Sequence, residues 1–187
     1  FLDTRYFRTP LTKNDTDSFG PYLPSKDHGQ NMLGEDQWQW FEEQLREPAE
    51  LRIIISSIMV LSEIHGWESW RMMPRERQRF YDLLKSTAAN GVIIVSGDTH
   101  AAGLYQSNTL LNYPLTELNS SSMNVPLTSF VKNPQQMPGV HRLGNIYFEA
   151  NFGVIDIDWE TGGIALQLRD KNNETIQEVN INLGDLK

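Results

Sequence analysis

Residues 92–104, V-I-I-V-S-G-D-T-H-A-A-G-L, place four β-branched residues directly before a short polar stretch. A run of this kind predicts a strand that is buried on both faces. Asp98 and His100 follow where the strand ends, and Gly97 removes the side chain that would block a close approach. Ligands of open α/β sheets bind outside the carboxyl ends of the strands, so we expect a binding site at this turn.

The Asp98 carboxylate and the His100 imidazole are both potential metal ligands. Carboxylate oxygen suits calcium, and the combination of oxygen and nitrogen suits iron, zinc or manganese. The alternative is that Asp98 caps a helix and that His100 is an ordinary loop histidine, because D-x-H is a short and frequent pattern. The motif by itself leaves both interpretations open.

The segments that precede this motif predict an α/β fold. Residues 33–47 form an amphipathic helix with acidic residues in its first turn, and the isoleucine-rich run 51–61 predicts a strand covered on both faces. A second helix begins at Pro74, carries the apolar residues Phe80, Leu83 and Leu84, and can stop at Asn90-Gly91. Strand, helix and strand in this order predict parallel neighbours joined by a crossover.

The two ends of the chain have different patterns. F-L-D-T-R at residues 1–5 is typical of the end of a buried strand, which suggests a chain cut from something longer. Residues 9–31 lack an apolar period and predict a long loop, a possible rim of a site. Residues 145–182 contain alternating strands separated by turn signals, which predicts an antiparallel meander.

Composition limits the classes of function. The length of 187 residues favours a single domain over residues 1–187. The 16 basic and 24 acidic residues give a net charge of −8, which argues against a nucleic acid as partner. The chain has no cysteine, hence no thiolate ligand, and no apolar run near the ~20 residues of a membrane span.

Six segments, in this order, resemble the alkaline phosphatase D (PhoD-like) metallophosphatases of the calcineurin-like phosphoesterase superfamily. They are F-L-D-T-R-Y-F-R (1–8), M-L-G-E-D-Q-W-Q-W-F (32–41), H-G-W-E-S-W-x-x-x-P-x-E-R (65–77), S-G-D-T-H (96–100), Y-P-L-T-E-L (113–118) and N-F-G-V-I-D-I-D-W (151–159). The resemblance implies part of a four-layer α/β/β/α sandwich with mixed sheets. It also implies metal-assisted hydrolysis of phosphate monoesters or diesters.

The resemblance implies metal ligands as well. The last metal motif of the superfamily is G-H-x-H; here Asp98 replaces its first histidine and His100 keeps the second. Iron and calcium are the metals associated with the family, with zinc and manganese as further possibilities. Metal ions supply the positive charge that lets an acidic protein hold a phosphate.

Five further residues are candidates for the site. Arg5 and Arg8 follow a strand end and can grip phosphate oxygens in a bidentate manner, although Arg5 can instead pair with Asp3. We assign Arg5 a catalytic role and Arg8 a role in substrate binding. An irregular segment supplies the other three, His65 as a catalytic residue and Trp67 and Trp70 as walls of a substrate pocket; the alternative for the tryptophans is packing in a core or lid.

The earlier metal motifs of the superfamily, Asp-x-His, Gly-Asp-x-x-Asp and Gly-Asn-His-Glu, are absent from residues 1–187. We therefore expect the carboxyl-terminal portion of such a domain, weakly active or inactive unless an upstream half is supplied. Two alternatives are a non-catalytic module that binds phosphate or sugar, and a fragment that pairs through an exposed sheet edge with another chain or a second copy. Export from the cell is expected from the family resemblance only.

Overall fold

A computed structural model describes residues 1–16, 20–63, 66–129 and 139–187. Its helices are α1 (Glu35–Arg46) and α2 (Pro74–Ser86). Its strands are β1 (Arg52–Ile55), β2 (Val92–Ser96), β3 (Ala102–Ser107), β4 (Leu115–Ser120), β5 (Arg142–Tyr147), β6 (Asn151–Asp158), β7 (Gly163–Asp170) and β8 (Thr175–Asn182). Short 3-10 helices lie at Trp70–Met72, Leu127–Ser129 and Leu183–Asp185.

The larger sheet is mixed and has the strand order β1-β2-β4-β3-β5. Strands β1, β2 and β4 are parallel to one another, and β3 is antiparallel to both of its neighbours, β4 and β5. Helix α2 connects the parallel neighbours β1 and β2, which confirms the predicted crossover. At the β1 edge, the predicted opening strand is reduced to a parallel bridge between Leu2 and Ser56.

The smaller sheet is an antiparallel meander of β6, β7 and β8, as predicted from the alternating pattern and the turn signals. Gly162, with a φ angle of 73°, allows the chain to turn from β6 into β7. The side chains of Ile164, Leu166 and Leu168 on β7 are buried. One face of this sheet therefore belongs to the core.

The two sheets pack face to face. A side chain at Gly153 on β6 would come within 2.5 Å of the Leu118 side chain on β4, so the backbone of β6 lies directly on the larger sheet. Strands β2, β3 and β4 are buried along almost their whole length, which requires cover on both faces. The meander covers one face and the helices the other, and the buried side chains form one cluster. This α/β/β arrangement agrees with the predicted part of a metallophosphatase sandwich.

The helices follow their predicted apolar stripes. Trp38, Phe41 and Leu45 are the buried positions of α1. Helix α2 starts at Pro74 as predicted but ends at Ser86, before Asn90-Gly91, because Ala88 adopts a left-handed φ of 51° and closes the last turn. Within the described ranges, no helix is long and apolar enough to cross a membrane.

The apolar run 51–61 is not one strand. β1 ends at Ile55, and Ile58–Leu61 is buried outside the sheet. The hydroxyl of Ser56 donates a hydrogen bond of 2.6 Å to the carbonyl oxygen of Ile58, which turns the chain away from the strand direction. The backbone N–H groups of Val60 and Leu61 then donate to the side-chain carboxylate of Glu117 on β4, and not to the backbone of a neighbouring strand.

Candidate functional site

The turn between β2 and β3 carries both predicted metal ligands. Asp98 and His100 have φ angles of 73° and 54°, in the left-handed region. That region costs a non-glycine residue roughly 1–2 kcal/mol. The chain continues into strand β3 at Ala102, so Asp98 does not cap a helix. The turn therefore depends on contacts that hold it in a strained conformation.

Asn119 on β4 is the main anchor of this turn. It lies opposite Ser96 in the sheet and is buried. Its side-chain amide donates hydrogen bonds of 3.0 Å to the Gly97 carbonyl oxygen and of 3.0 Å to the Ser96 hydroxyl. Its carbonyl oxygen accepts a hydrogen bond of 2.6 Å from the Thr99 hydroxyl. Both ends of the turn are thus tied to one side chain.

A buried carboxylate lies beneath this anchor. Glu117 on β4 accepts hydrogen bonds of 3.0 Å and 2.6 Å from the backbone N–H groups of Val60 and Leu61, and a further one from the Ser96 hydroxyl. Because the Ser96 oxygen already accepts from Asn119, its proton is directed to Glu117. Burial raises the pKa of Glu117, against the effect of these three donors.

The imidazole of His100 is oriented by the chain that follows β4. Its Nδ1 lies 2.8 Å from the carbonyl oxygen of Val125, which can only accept, so Nδ1 carries the proton. The backbone of His100 is fixed as well, because its N–H donates to Ser121 (3.0 Å) and its carbonyl oxygen accepts from the N–H of Leu127 (3.0 Å). Nε2 is left with a lone pair, the usual arrangement of a metal-binding histidine.

The Asp98 carboxylate has no hydrogen-bond or ion-pair partner within the part of the chain that the structure describes. Asp98 is exposed, and the partial desolvation of its carboxylate raises its pKa; the negative charge of Glu68 raises it further. The positive charges of Arg5 and Arg8, and that of His100 when its imidazole is protonated, act in the opposite direction. A carboxylate without a partner, beside an imidazole with a lone pair, is a donor set that fits a metal ion.

Glu68 holds the two predicted phosphate-binding arginines at the same place. Arg5 forms an ion pair with one carboxylate oxygen of Glu68, and Arg8 pairs with the other at 3.1 Å. The alternative pairing of Arg5 with the Asp3 carboxylate is not formed; Asp3 instead accepts hydrogen bonds from the backbone N–H groups of Arg5 and Tyr6. Arg5 remains 59% exposed at its side chain, whereas Arg8 is 13% exposed.

Arg5, Glu68, Asp98 and His100 border a cavity of about 580 Å³, whereas Arg8 is not among the residues that line it. Its polar residues include Arg5, Glu68, Asp98 and His100. The rest of the wall is mainly aromatic and aliphatic: Pro21, Tyr22, Met59, Trp67, Ala101, Ala102, Tyr105, Leu127, Ile146 and Phe148. The structure thus brings the arginine and the two metal-ligand candidates to one cavity.

Trp67 and Trp70, the two tryptophans of the segment after β1, lie in different environments. Trp67 lines the cavity and is 54% exposed. Trp70 is fully buried in the core, where its ring packs against Trp38 and Phe80 and its Nε1 donates a hydrogen bond of 3.0 Å to Ser56. The prediction that Trp70 lines a substrate pocket is therefore wrong, because packing against the helices takes its ring away from the cavity.

The metal donors found here are Asp98 and His100. Within residues 1–16, 20–63, 66–129 and 139–187, no group of three or more histidine, aspartate or glutamate side chains could hold a metal ion. His65, the second predicted catalytic residue, lies outside the described residues.

Comparison with known proteins places this chain in a family. The profile of the PhoD-like phosphatases matches residues 1–167. The chain belongs to the PhoD-like phosphatase family. It is 28% identical over 124 residues to alkaline phosphatase D of Bacillus subtilis (strain 168), a match that covers 62% of this chain and 21% of that protein.

The fold is also that of a PhoD-like protein. A solved structure of PhoD superposes with a TM-score of 0.69 at 18% identity, over 97% of this chain and 38% of the PhoD chain. The chain thus spans about a fifth of the curated relative that it matches and 38% of the solved one.

Several residues of this candidate site are missed by sequence reasoning. Asn119 and Glu117 belong to the segment Y-P-L-T-E-L-N, which predicts only a short strand. Glu68 lies between Trp67 and Trp70, which were chosen as candidates in its place. Tyr105 lies beyond the Asp98 and His100 motif, in a segment with no charged residue to mark it. The missed signal is the polar pair Glu117 and Asn119 in a strand that is otherwise apolar, because a buried polar side chain needs a partner.

Proposed function

We propose that this chain supplies part of the centre of a metal-dependent phosphoesterase, with Asp98 and His100 as metal ligands, Arg5 as the phosphate contact at the cavity, and Arg8 as the residue that stays paired with Glu68 behind it. The observation that carries the proposal is the orientation of His100. Its Nδ1 proton is fixed on the Val125 carbonyl oxygen, and the imidazole borders the same cavity as the unpartnered Asp98 carboxylate. Membership of the PhoD-like phosphatases supports the same reaction class.

The role of the chain's own residues follows from their contacts. The exposed guanidinium of Arg5 is held at the cavity by Glu68 and can exchange this carboxylate for phosphate oxygens of an ester. Arg8 is more buried, and its pairing with Glu68 keeps the pair of arginines in place when Arg5 changes partner. Trp67 forms the exposed wall beside them.

The metal of the proposed centre is iron or calcium, with zinc or manganese as alternatives. When bound, a metal ion lowers the pKa of a coordinated water and neutralises phosphate charge. Asp98 and His100 are two donors, whereas catalytic centres such as those of zinc enzymes use about three protein ligands. We therefore expect additional ligands from outside the described residues, and weak metal binding by this chain when it is assayed by itself.

Both phosphate monoesters and diesters fit the proposal, since neither the turn nor the arginines distinguish one from the other. His65 is retained as a proposed catalytic residue. Asn119 acts as a positioning residue, because its side-chain hydrogen bonds go to the turn that carries the ligands and to Ser96 at the end of β2.

Metal retention tests the proposal. The purified chain is dialysed to equilibrium against Fe³⁺, Ca²⁺, Zn²⁺ or Mn²⁺, and the metal content of the protein solution in excess of the dialysate is measured by mass spectrometry. We expect retention of at least one metal, and its loss in Asp98→Ala and His100→Ala. The matched control is His28→Ala, an exposed histidine in the loop before α1.

Hydrolysis of an aryl phosphate monoester and of a diester is measured with the same samples. Retention of metal by both site variants at the level of the original chain contradicts the assignment of Asp98 and His100. Metal-dependent turnover that is unaffected by His100→Ala contradicts it as well. Loss of metal from His28→Ala shows that the metal is bound elsewhere.

A further inference from the structure

The cavity beside the metal-ligand candidates is much larger than a phosphate group requires. Its volume of about 580 Å³ lies within the range of about 300–1,000 Å³ that holds organic ligands. Its charged side chains, Arg5, Glu68, Asp98 and His100, lie on the first segment of the chain, the tryptophan segment and the β2–β3 turn. The remainder of the wall is mainly apolar, with Thr99 and Asn119 as the further polar residues, so the cavity has space for a second, uncharged part of a substrate.

Aromatic side chains from four separate segments form this apolar part. Tyr22 comes from the loop before α1, Trp67 from the segment after β1, Tyr105 from β3, and Phe148 from the residue that follows β5. Aromatic rings that converge from distant parts of a sequence bury a large area of a flat partner at little cost in side-chain entropy. The convergence is a property of the fold and not of one local motif.

The wall formed by Tyr22 and Trp67 is fixed by backbone contacts. The N–H of Tyr22 donates a hydrogen bond of 3.1 Å to the carbonyl oxygen of Gly66, the neighbour of Trp67. Gly20 lies so close that a side chain there would come within 2.2 Å of the same oxygen. These two segments are therefore held together before any ligand binds, which reduces the ordering cost of binding.

The inner part of the cavity contains Tyr105, which is 7% exposed. Its ring lies over Gly103, where a side chain would come within 3.0 Å of the ring. Within the described residues its hydroxyl makes no hydrogen bond, and burial raises the pKa of this hydroxyl, which keeps it uncharged. An uncharged hydroxyl in an apolar wall can donate to a polar substituent of a bound ring.

We propose that the apolar part of this cavity binds the alcohol portion of the phosphate ester, and that the chain selects esters whose alcohol carries an aromatic ring. The inference rests on the proposed function, because the phosphate is taken to lie at the Arg5 and His100 end. The charged and aromatic ends of the cavity match the charged and aromatic ends of such an ester. Trp67 and Phe148 are its specificity-determining residues.

Direct binding of three probes tests this inference. Binding of 2-naphthyl phosphate, methyl phosphate and 2-naphthol to the chain is measured by calorimetry in the presence of Ca²⁺. Burial of an aromatic ring predicts that naphthyl phosphate binds at least about tenfold more tightly than methyl phosphate. Trp67→Ala and Phe148→Ala are each expected to reduce the ratio of the two affinities severalfold.

The matched control is Trp159→Ala, which removes a tryptophan that is 60% exposed and lies between β6 and β7, away from the cavity. This variant is expected to keep the full preference. Because Trp67 is exposed, its substitution is not expected to prevent folding, and the urea unfolding midpoint of each variant is measured to check this.

The possible outcomes separate the two proposals. Equal affinity of the chain for naphthyl and methyl phosphate overturns the aromatic site but leaves the proposed function intact. A preference that survives in both Trp67→Ala and Phe148→Ala also overturns the aromatic site. Binding of 2-naphthol without binding of either phosphate contradicts the proposed function, and with it the ester as the ligand. Binding of none of the three probes overturns both.

Discussion

The side-chain amide of Asn119 donates a hydrogen bond of 3.0 Å to the carbonyl oxygen of Gly97, and so connects strand β4 to the turn that carries Asp98 and His100. The same side chain accepts the hydroxyl proton of Thr99 at 2.6 Å. One buried residue therefore holds the turn at two points. The conformation of the candidate metal ligands depends on a strand that contains neither of them.

Asn119→Ala is expected to destabilise the fold by about 1–3 kcal/mol, because the Thr99 hydroxyl and the Gly97 carbonyl oxygen lose their buried partner. Urea unfolding measures this loss. Amide hydrogen exchange at His100, whose N–H donates to Ser121 (3.0 Å), should also become faster, because the strained turn loses its anchor. The matched control is Asn180→Ala, whose amide bonds to Glu178 (2.8 Å) on an exposed part of β8. An effect within about 0.5 kcal/mol is expected there, and equal effects of both variants contradict the role of Asn119.

His100 is expected to be the Nδ1-protonated tautomer in the metal-free chain at neutral pH, because Nδ1 lies 2.8 Å from the Val125 carbonyl oxygen. Ring ¹⁵N chemical shifts in nuclear magnetic resonance spectra distinguish the two tautomers. The exposed His28 serves as the reference within the same spectrum. A ring of His100 protonated at Nε2 would contradict the geometry and remove the lone pair from the proposed ligand atom.

Glu117 predicts a dependence of stability on pH. Burial raises its pKa above the ordinary value of 4.5, so the folded state binds this proton more tightly than the unfolded state. Its contribution to the free energy of unfolding is therefore largest below pH 4.5 and is lost as the pH rises through the folded-state pKa. In Glu117→Gln this titration is absent. Urea unfolding of both proteins between pH 4.5 and 8 should show that the original chain loses stability relative to the variant as the pH rises. If the original chain instead gains stability relative to the variant as the pH rises, the three hydrogen bonds lower the pKa of Glu117 by more than burial raises it.

Trp67 and Trp70 provide a matched pair of substitutions. Trp70→Ala is expected to cost about 3–5 kcal/mol, because it removes a fully buried ring and leaves a cavity between α1, α2 and β1. Trp67→Ala is expected to change stability by less than about 0.5 kcal/mol, because that ring is 54% exposed. Unfolding in urea measures both values. A large cost for Trp67→Ala would show that its ring supports the fold as well as the cavity.

The parts of the fold that were predictable from sequence have local causes. The stripe of Trp38, Phe41 and Leu45 identifies α1, and Pro74 marks the start of α2. The strand 92–96 was predicted from its β-branched run. By contrast, β3 was missed, because A-G-L-Y-Q-S has small residues and no alternation; it is a strand only through its pairing with β4 and β5.

The residues of the candidate site also fall into two groups, those predicted from the local sequence and those whose position depends on the folded structure. Asp98 and His100 were identified because they directly follow a predicted strand. Asn119 could not be identified, because its position opposite Ser96 depends on the register between two strands that are not consecutive in sequence. Trp67 and Trp70 are separated by two residues and have the same chemistry, so only the packing of the helices decides which of them faces the cavity.

Strand β4 follows β2 and β3 along the chain, yet it lies between them in the sheet. The segment from Val92 to Ser107 therefore does not form a hairpin in the folded structure, and its two strands are joined only through the later strand β4. Asn119 and Ser121, which hold the turn, lie at the end of that strand and just after it. The candidate metal ligands can therefore be held in their final geometry only after the residues up to Ser121 have been synthesised, because the hydrogen bonds of Asn119 and Ser121 secure the turn.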